Sequence, residues 1–532
     1  MPNNTASSTN AMAVAPHHLA SQSALAVMRE GGNAIEAMVA AAATIATVYP
    51  HMNGIGGDSF WLILAPGAEP VAIDACGPAA MAASIEAYRQ RDLTSIPLRG
   101  PLAANTVAGT IGGWQAAMEL AAELGGKMPL GRLLEDAIGY ATDGIAVTLS
   151  QQKATASKLG ELRDQPGFAD QFLIGGELPV EGQRFFQPRL AATFSALVRD
   201  GLDSYYRGAL ADRIAADLAA VGSFVSAADL AAYKAQRTTP LHLRHSAGDL
   251  YNMTPPTQGA VSLAILGLLD RVGLQDVQAD SADHIHLVVE ATKRAFTLRD
   301  HYITDPRDMV LNGQDLLDDA RLDALAAEIH LDQASPWGEG KGPGDTIWMG
   351  VIDNNGLAVS FIQSIYHEFG SGVVLPETGI NWQNRGASFS LDSNKLLALK
   401  PGKKPFHTLN PAAARLRDGR VMVYGTMGGD GQPQTQAAVF TRHVVFGQSL
   451  QTAVSAPRWL LGRTWGQKSD SLKLEQRVPQ AVIDELARRG HDVEVLLAFD
   501  ETMGHAGAIV RHVDGILEGA SDPRSDGGVA AW

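Results

Sequence analysis

Thr346 and Ser364 are the residues whose type and spacing first suggest chemistry. They lie in two strand-like runs, Thr346–Ile352 and Leu357–Ile365, separated by Asp353-Asn354-Asn355-Gly356, a hairpin signal. A three-residue loop, Asn354–Gly356, with Gly356 left-handed would pair Asp353 with Leu357 and set Thr346 directly opposite Ser364 on one face of the sheet. A two-residue loop would slip the register and part the two hydroxyls. A threonine hydroxyl is a weak nucleophile at neutral pH and needs a base beside it. If Thr346 began a chain, its own amine could take the proton. The residues ahead of it, Gly338-Glu339-Gly340-Lys341-Gly342-Pro343-Gly344-Asp345, read as an exposed, mobile segment. A precursor could cut itself there, between Asp345 and Thr346. The same composition also suits a plain linker running into a strand.

Around this hairpin the chain supplies helices and a second strand signal. Ser21–Glu30 and Asn33–Val48 read as helices broken at Gly31-Gly32, and the turn-rich stretch Pro50–Asp58 leads into a strand over Ser59–Leu64. The region of roughly 110–340 is mainly helical, with apolar residues three and four apart in Trp114–Leu124, Gln187–Asp200, Ala209–Val221 and Ala282–Arg299. The first ten residues are polar and predict disorder. No internal repeat is visible.

Charge and composition exclude several classes of function. The 532 residues carry 57 Asp/Glu against 42 Lys/Arg, a net charge of −15, and 45% of them are apolar. From Thr346 onward acids and bases balance at 18 each, so the excess lies in residues 1–345. Such an acidic chain is a poor partner for nucleic acid or an anionic membrane. The apolar run Ala37–Tyr49 is too short to span a bilayer and has no basic lead, so no signal peptide is expected and the cytoplasm is the expected compartment. Cys76 stands alone, which excludes a disulfide framework. No phosphate loop or dinucleotide fingerprint occurs, so no cofactor is expected. His284-Ile285-His286 has metal-ligand spacing without a second pair, and no metal is expected. His17-His18 reads as a helix-entry pair and Lys403-Lys404 as a solvated turn.

Five motifs resemble the gamma-glutamyltransferases of the N-terminal-nucleophile hydrolase superfamily: Gly31–Ala37, Gly54–Gly57, Pro255-Pro256-Thr257-Gln258-Gly259, Phe369–Gly372 and Ser521-Asp522-Pro523-Arg524-Ser525. They span nearly the whole chain in the family's order. The resemblance implies an α/β (α+β) fold, a four-layer αββα sandwich, cut into a large subunit (1–345) and a small one (346–532) that form one catalytic body. It implies Thr346 as nucleophile, Ser364 as supporting hydroxyl, and Gly428 and Gly429 as oxyanion donors. A dimer of such two-subunit units is a further expectation.

The departures from the family pattern bear on substrate. No arginine occurs in Asp74-Ala75-Cys76-Gly77-Pro78, where the gamma-glutamyl enzymes carry one. An asparagine becomes Tyr366, the glutamine and aspartate that hold an alpha-amino group become Arg385 and Ser388, and paired serines become His407 and Thr408. The site thus exchanges a carboxylate for a hydroxyl and gains a guanidinium, which favours an anionic acyl group over a zwitterion. Arg385, with His407, Thr408 and Tyr366, is the expected substrate pocket. Through Thr346–Asn384 and Gly425–Gln436 the chain is similar to family members that hydrolyse oxamate. That resemblance implies a small anionic amide, oxamate, giving oxalate and ammonia. The alternatives are a gamma-glutamyl hydrolase or transferase, an acylase for dicarboxylic side chains, and an uncleaved, inactive homologue that binds small anions.

Overall fold

A computed structural model describes residues 4–338, 345–462 and 469–532; of Asp345 it places the backbone. The predicted exposed segment before Thr346 lies almost wholly outside the described residues.

The two strands of the expected hairpin form the middle of a seven-stranded antiparallel sheet. Its order is Gly528–Ala531, Met12–Ala15, Asp345–Ile352, Ala358–Tyr366, Asp58–Leu64, Val71–Ala75 and Gln236–Thr238. A second seven-stranded sheet runs Ala6–Ser8, Leu517–Ser521, Ala506–Arg511, Val421–Thr426, Ala412–Leu416, Gly248–Asn252 and Leu241–His245. Both sheets mix strands from either side of the predicted cut.

Side-chain alternation along the strands builds the layers. Trp348, Ile352 and Ile362 join Phe60, Leu62, Val423 and Ile509 in the core between the two sheets. Their strand neighbours Ile347, Met349, Val351 and Phe361 pack outward against the helices Ala34–Val48 and Thr110–Glu123. The outer face of the second sheet, through Leu250, Ala414 and Tyr424, packs on the helices Gly259–Leu269, Ala282–Tyr302 and Gln432–Phe440. The result is the expected αββα sandwich.

The Ala34–Val48 helix is buried along its whole length and begins with a capping box between Asn33 and Glu36. Its Ala34 N–H also donates to Asp353 Oδ2 at 3.0 Å, so the hairpin loop is docked on the positive end of this helix. Asp353 Oδ1 accepts from Asn355 and Leu357 N–H, and Gly356 has φ +84°, the three-residue loop expected.

One expectation fails. Ala6–Ser8 is not disordered: it pairs with Leu517–Ser521 as an edge strand, where its polar side chains tolerate water. The region of roughly 110–340 is mainly helical, as expected, and the short hairpin Leu241–His245 and Gly248–Asn252 lies within it without a periodic signal of its own. Among the described residues no helix is long and apolar enough to cross a membrane.

Candidate active site

The register predicted for the hairpin holds from Ile347 paired with Gln363 to Ile352 paired with Ala358, and then breaks. Asp345 pairs with Tyr366, so Thr346 alone stands against Ser364 and Ile365 in a β-bulge. Thr346 is therefore not in simple register opposite Ser364. The bulge adds a local twist at the strand end, where a side chain can be re-aimed. Both hydroxyl residues are buried.

Ser364 Oγ accepts from Tyr366 N–H at 2.8 Å, and Tyr366 has φ +83°. A tyrosine in this region is strained, and local contacts must hold it there. The next strand comes very close on the other side. A Cβ on Gly57 would lie 2.0 Å from Ser364 O, which explains glycine at the end of the Gly54–Gly57 motif.

The end of the Val421–Thr426 strand turns through Gly428 (φ +118°) and Gly429 (φ +52°) into a short 3₁₀ turn and the helix Gln432–Phe440. Backbone N–H groups at a turn and a helix start can suit a developing anion. Gln432, the first residue of that helix, donates from Nε2 to Thr346 Oγ1 at 3.4 Å, which brings the turn to the hydroxyl. Gln258 of the Pro255–Gly259 motif donates to Gly429 O and Thr408 O, both at 2.9 Å, and so ties this turn to the next part of the site.

That part centres on Arg385, which is 1% exposed. Its guanidinium lies 3.5 Å from the centre of the Tyr366 ring, a cation–π stack. Nη1 donates to Phe406 O at 3.0 Å and Nη2 to Thr408 Oγ1 at 3.4 Å, while Nε has no partner. Among the described residues Arg385 makes no salt bridge. Burial lowers its pKa and raises that of Tyr366.

His407 and Asp58 lie behind this group. His407 Nε2 is 2.9 Å from Asp58 Oδ2, and Asp58 Oδ1 accepts from the Gly77 and Gly109 N–H groups at 2.9 Å each. Burial pushes the Asp58 carboxyl up to about 7, against the pull of those N–H groups, Gln383 and Arg385. Burial, then Arg385 and Lys404, hold His407 well below the usual imidazole range.

Arg385, Tyr366, His407 and Thr408 are thus gathered in one place, and Thr346, Ser364, Gly428 and Gly429 are linked to them through Gln258 and the Tyr366 turn. Ser388 closes the same 3₁₀ turn as Arg385, with a buried Oγ that has no partner. Sequence reasoning passed over Asp58 and Gln432. An acid opening the wholly buried run Asp58–Leu64 was the available signal for the first; the second had none. Lys403-Lys404 is no solvated turn. Lys403 Nζ donates to Leu396 O, and Lys404 Nζ lies 2.7 Å from Asp74 Oδ2, because a tertiary contact supplies an acid that the local sequence lacks.

Two groups have the donor types of a metal site. Asp58, Cys76 and His407 bring three ligand atoms within 4.8 Å of one another, beside the cations Arg385 and Lys404 that oppose a metal ion. His286, Glu290 and His491 form the other, away from Thr346. There His286 is bonded to His491 Nε2 (2.8 Å) and His330 O (2.7 Å), and Glu290 to Lys293 Nζ (2.6 Å).

The gamma-glutamyltranspeptidase family profile matches residues 20–532. The chain is 64% identical to the oxamate amidohydrolase proenzyme of Klebsiella pneumoniae, covering 99% of both proteins. It is 39% identical to the glutathione hydrolase-like YwrD proenzyme of Bacillus subtilis, covering 98% of both. The crystal structure of cephalosporin acylase from Bacillus halodurans superposes with a TM-score of 0.91 at 33% identity, over 100% of this chain and 97% of that one.

Proposed function

Because this chain belongs to the gamma-glutamyltranspeptidase family, hydrolases that cleave C–N bonds, we propose that it hydrolyses oxamate to oxalate and ammonia through an ester on Thr346. The precursor is cut between Asp345 and Thr346, giving subunits 1–345 and 346–532 that stay together through their shared sheets. The freed Thr346 amine takes the Oγ proton as Oγ attacks the amide carbon. The Gly428 and Gly429 N–H groups receive the oxyanion. Collapse expels ammonia, and water then hydrolyses the oxalyl ester by the same route. We place the reaction in the cytoplasm, where the lone Cys76 stays reduced.

The observation that carries the substrate assignment is Arg385: a buried guanidinium with neutral oxygens and a ring around it and, among the described residues, no carboxylate bonded to it. Nη1 is committed to Phe406 O and Nη2 makes only a long bond to Thr408 Oγ1, so a side-on carboxylate would take Nε and compete with Thr408 for Nη2. Oxamate carries its carboxylate one bond from the amide carbonyl, so a cation near the nucleophile suits it. A glutamyl substrate would need an acid for its ammonium group. Ser388 offers a hydroxyl, while Asp58 is engaged by two N–H groups and His407, and Asp430 by Arg299 at 3.0 Å.

The test is ammonia release from oxamate against turnover of a gamma-glutamyl anilide by the same preparation. Oxamate is expected to be preferred, and rapid turnover of the anilide would overturn the Arg385 assignment. A denaturing gel separates these from the silent homologue, which would run as one band at 56.2 kDa.

A further inference from the structure

Gln432 touches the Thr346 hydroxyl, yet nothing in the reaction above uses its side chain. It is wholly buried, three residues beyond Gly429, at the start of the helix Gln432–Phe440. Its two amide atoms are unlike in their surroundings: Nε2 donates to Thr346 Oγ1, whereas Oε1 is buried with no hydrogen-bond partner among the described residues. A buried carbonyl oxygen left without a donor is costly, and beside a nucleophile it can take a donor from a bound ligand. Its position beside the attacking oxygen narrows what that ligand can be. The groups that reach this point in the reaction are the amide carbon, its oxygen and its nitrogen. The oxygen is drawn to donors and would be repelled by Oε1. The nitrogen bears hydrogens.

We propose that Gln432 reads the leaving nitrogen, its Oε1 accepting an N–H of the substrate, so that the site selects unsubstituted amides over amides whose nitrogen carries alkyl groups. This rests on Thr346 as the nucleophile. The donor on Nε2 fills one lone pair of the Thr346 hydroxyl oxygen. As the C–N bond breaks, the proton held by the Thr346 amine passes to the nitrogen, which departs as ammonia while Gln432 still holds one of its N–H bonds. A substituted nitrogen presents carbon to Oε1, and the buried oxygen then stays unsatisfied in the transition state.

The experiment compares oxamate with N,N-dimethyloxamate, as substrate where turnover is measurable and as competitor of oxamate otherwise, in wild type and Gln432→Met. Intrinsic reactivity cancels because both enzymes meet the same pair. The wild-type preference for the unsubstituted amide is expected to shrink by about tenfold or more in Gln432→Met. Equal losses on both compounds would mean that Gln432 only supports Thr346, and would overturn the proposal. Gln432→Glu keeps an acceptor and loses the donor, so it is expected to retain the preference at lower kcat; it carries the test if Gln432→Met fails to fold or to cleave. Should oxamate not be a substrate, the same comparison is run on whichever acyl group is accepted, such as succinamate against its N,N-dimethyl form. The oxalyl assignment and the Gln432 assignment therefore fail separately.

Discussion

The two ends of the site are built from different materials. Around Thr346 the described contacts are neutral: the Gln432 amide, the Tyr366–Ser364 turn beside it and the paired glycines beyond. Around Arg385 stand titratable groups, with Asp58 against His407 and Lys404 against Asp74. In the proposed reaction bond-making falls to donors whose orientation does not change with protonation. In the same proposal recognition falls to a buried cation, whose pull on a carboxylate is strong where water is absent. Holding that cation ready means keeping an acid from pairing with it. The fold does this with the Tyr366 ring and two oxygens, while Asp58 is occupied by backbone N–H groups.

If the two ends are separable, substitutions should divide cleanly between them. Thr346→Ala is expected to leave one uncut chain and to lower kcat by about 10⁴-fold or more, read on a gel and by ammonia release. Arg385→Ala should cut normally yet lose about 2–5 kcal/mol in kcat/KM for oxamate, with Arg385→Lys recovering part of it. An uncut Arg385→Ala chain would show that the ends are coupled after all. Gly429→Ala places a side chain where φ is +52° and disturbs the donors. It should slow cleavage and cost about 100-fold in kcat with KM little changed.

The smallest effect concerns pH. The folded chain holds the Asp58 proton to about 7, whereas the unfolded carboxyl releases it near 3.8. Between those values the native state binds the extra proton, so this group's contribution to stability falls as pH rises. Asp58→Asn should flatten that part of the profile in thermal melts from about pH 4 to about pH 7. An unchanged slope would assign it to other groups. His407, kept neutral by burial, acts in the opposite sense, and its contribution falls as pH drops below 6.5.

Much of this was legible in the chain. The loop signal at Asn354–Gly356 predicted the hairpin register correctly from Ile347 to Ile352, because turn chemistry and strand pairing are local. The Asn33–Val48 helix was visible for the same reason. The bulge at Thr346 was not, since it depends on how the strand end meets the turn at Tyr366. Lys404 was misread because its acid, Asp74, lies far away in the chain.

The amino-acid order alone determined the hairpin, the helices and the kinds of side chain available for chemistry, since period and turn preference act over a few residues. Set beside the family it resembles, it also implied the exchange of an acid for Ser388 and the arrival of Arg385. Only the folded body decided that Arg385 is buried with no salt-bridge partner among the described residues, that Asp58 is kept occupied, and that Gln432 reaches Thr346. Those are facts of solvent exclusion and long-range contact, and they arise only when two sheets close over the same space.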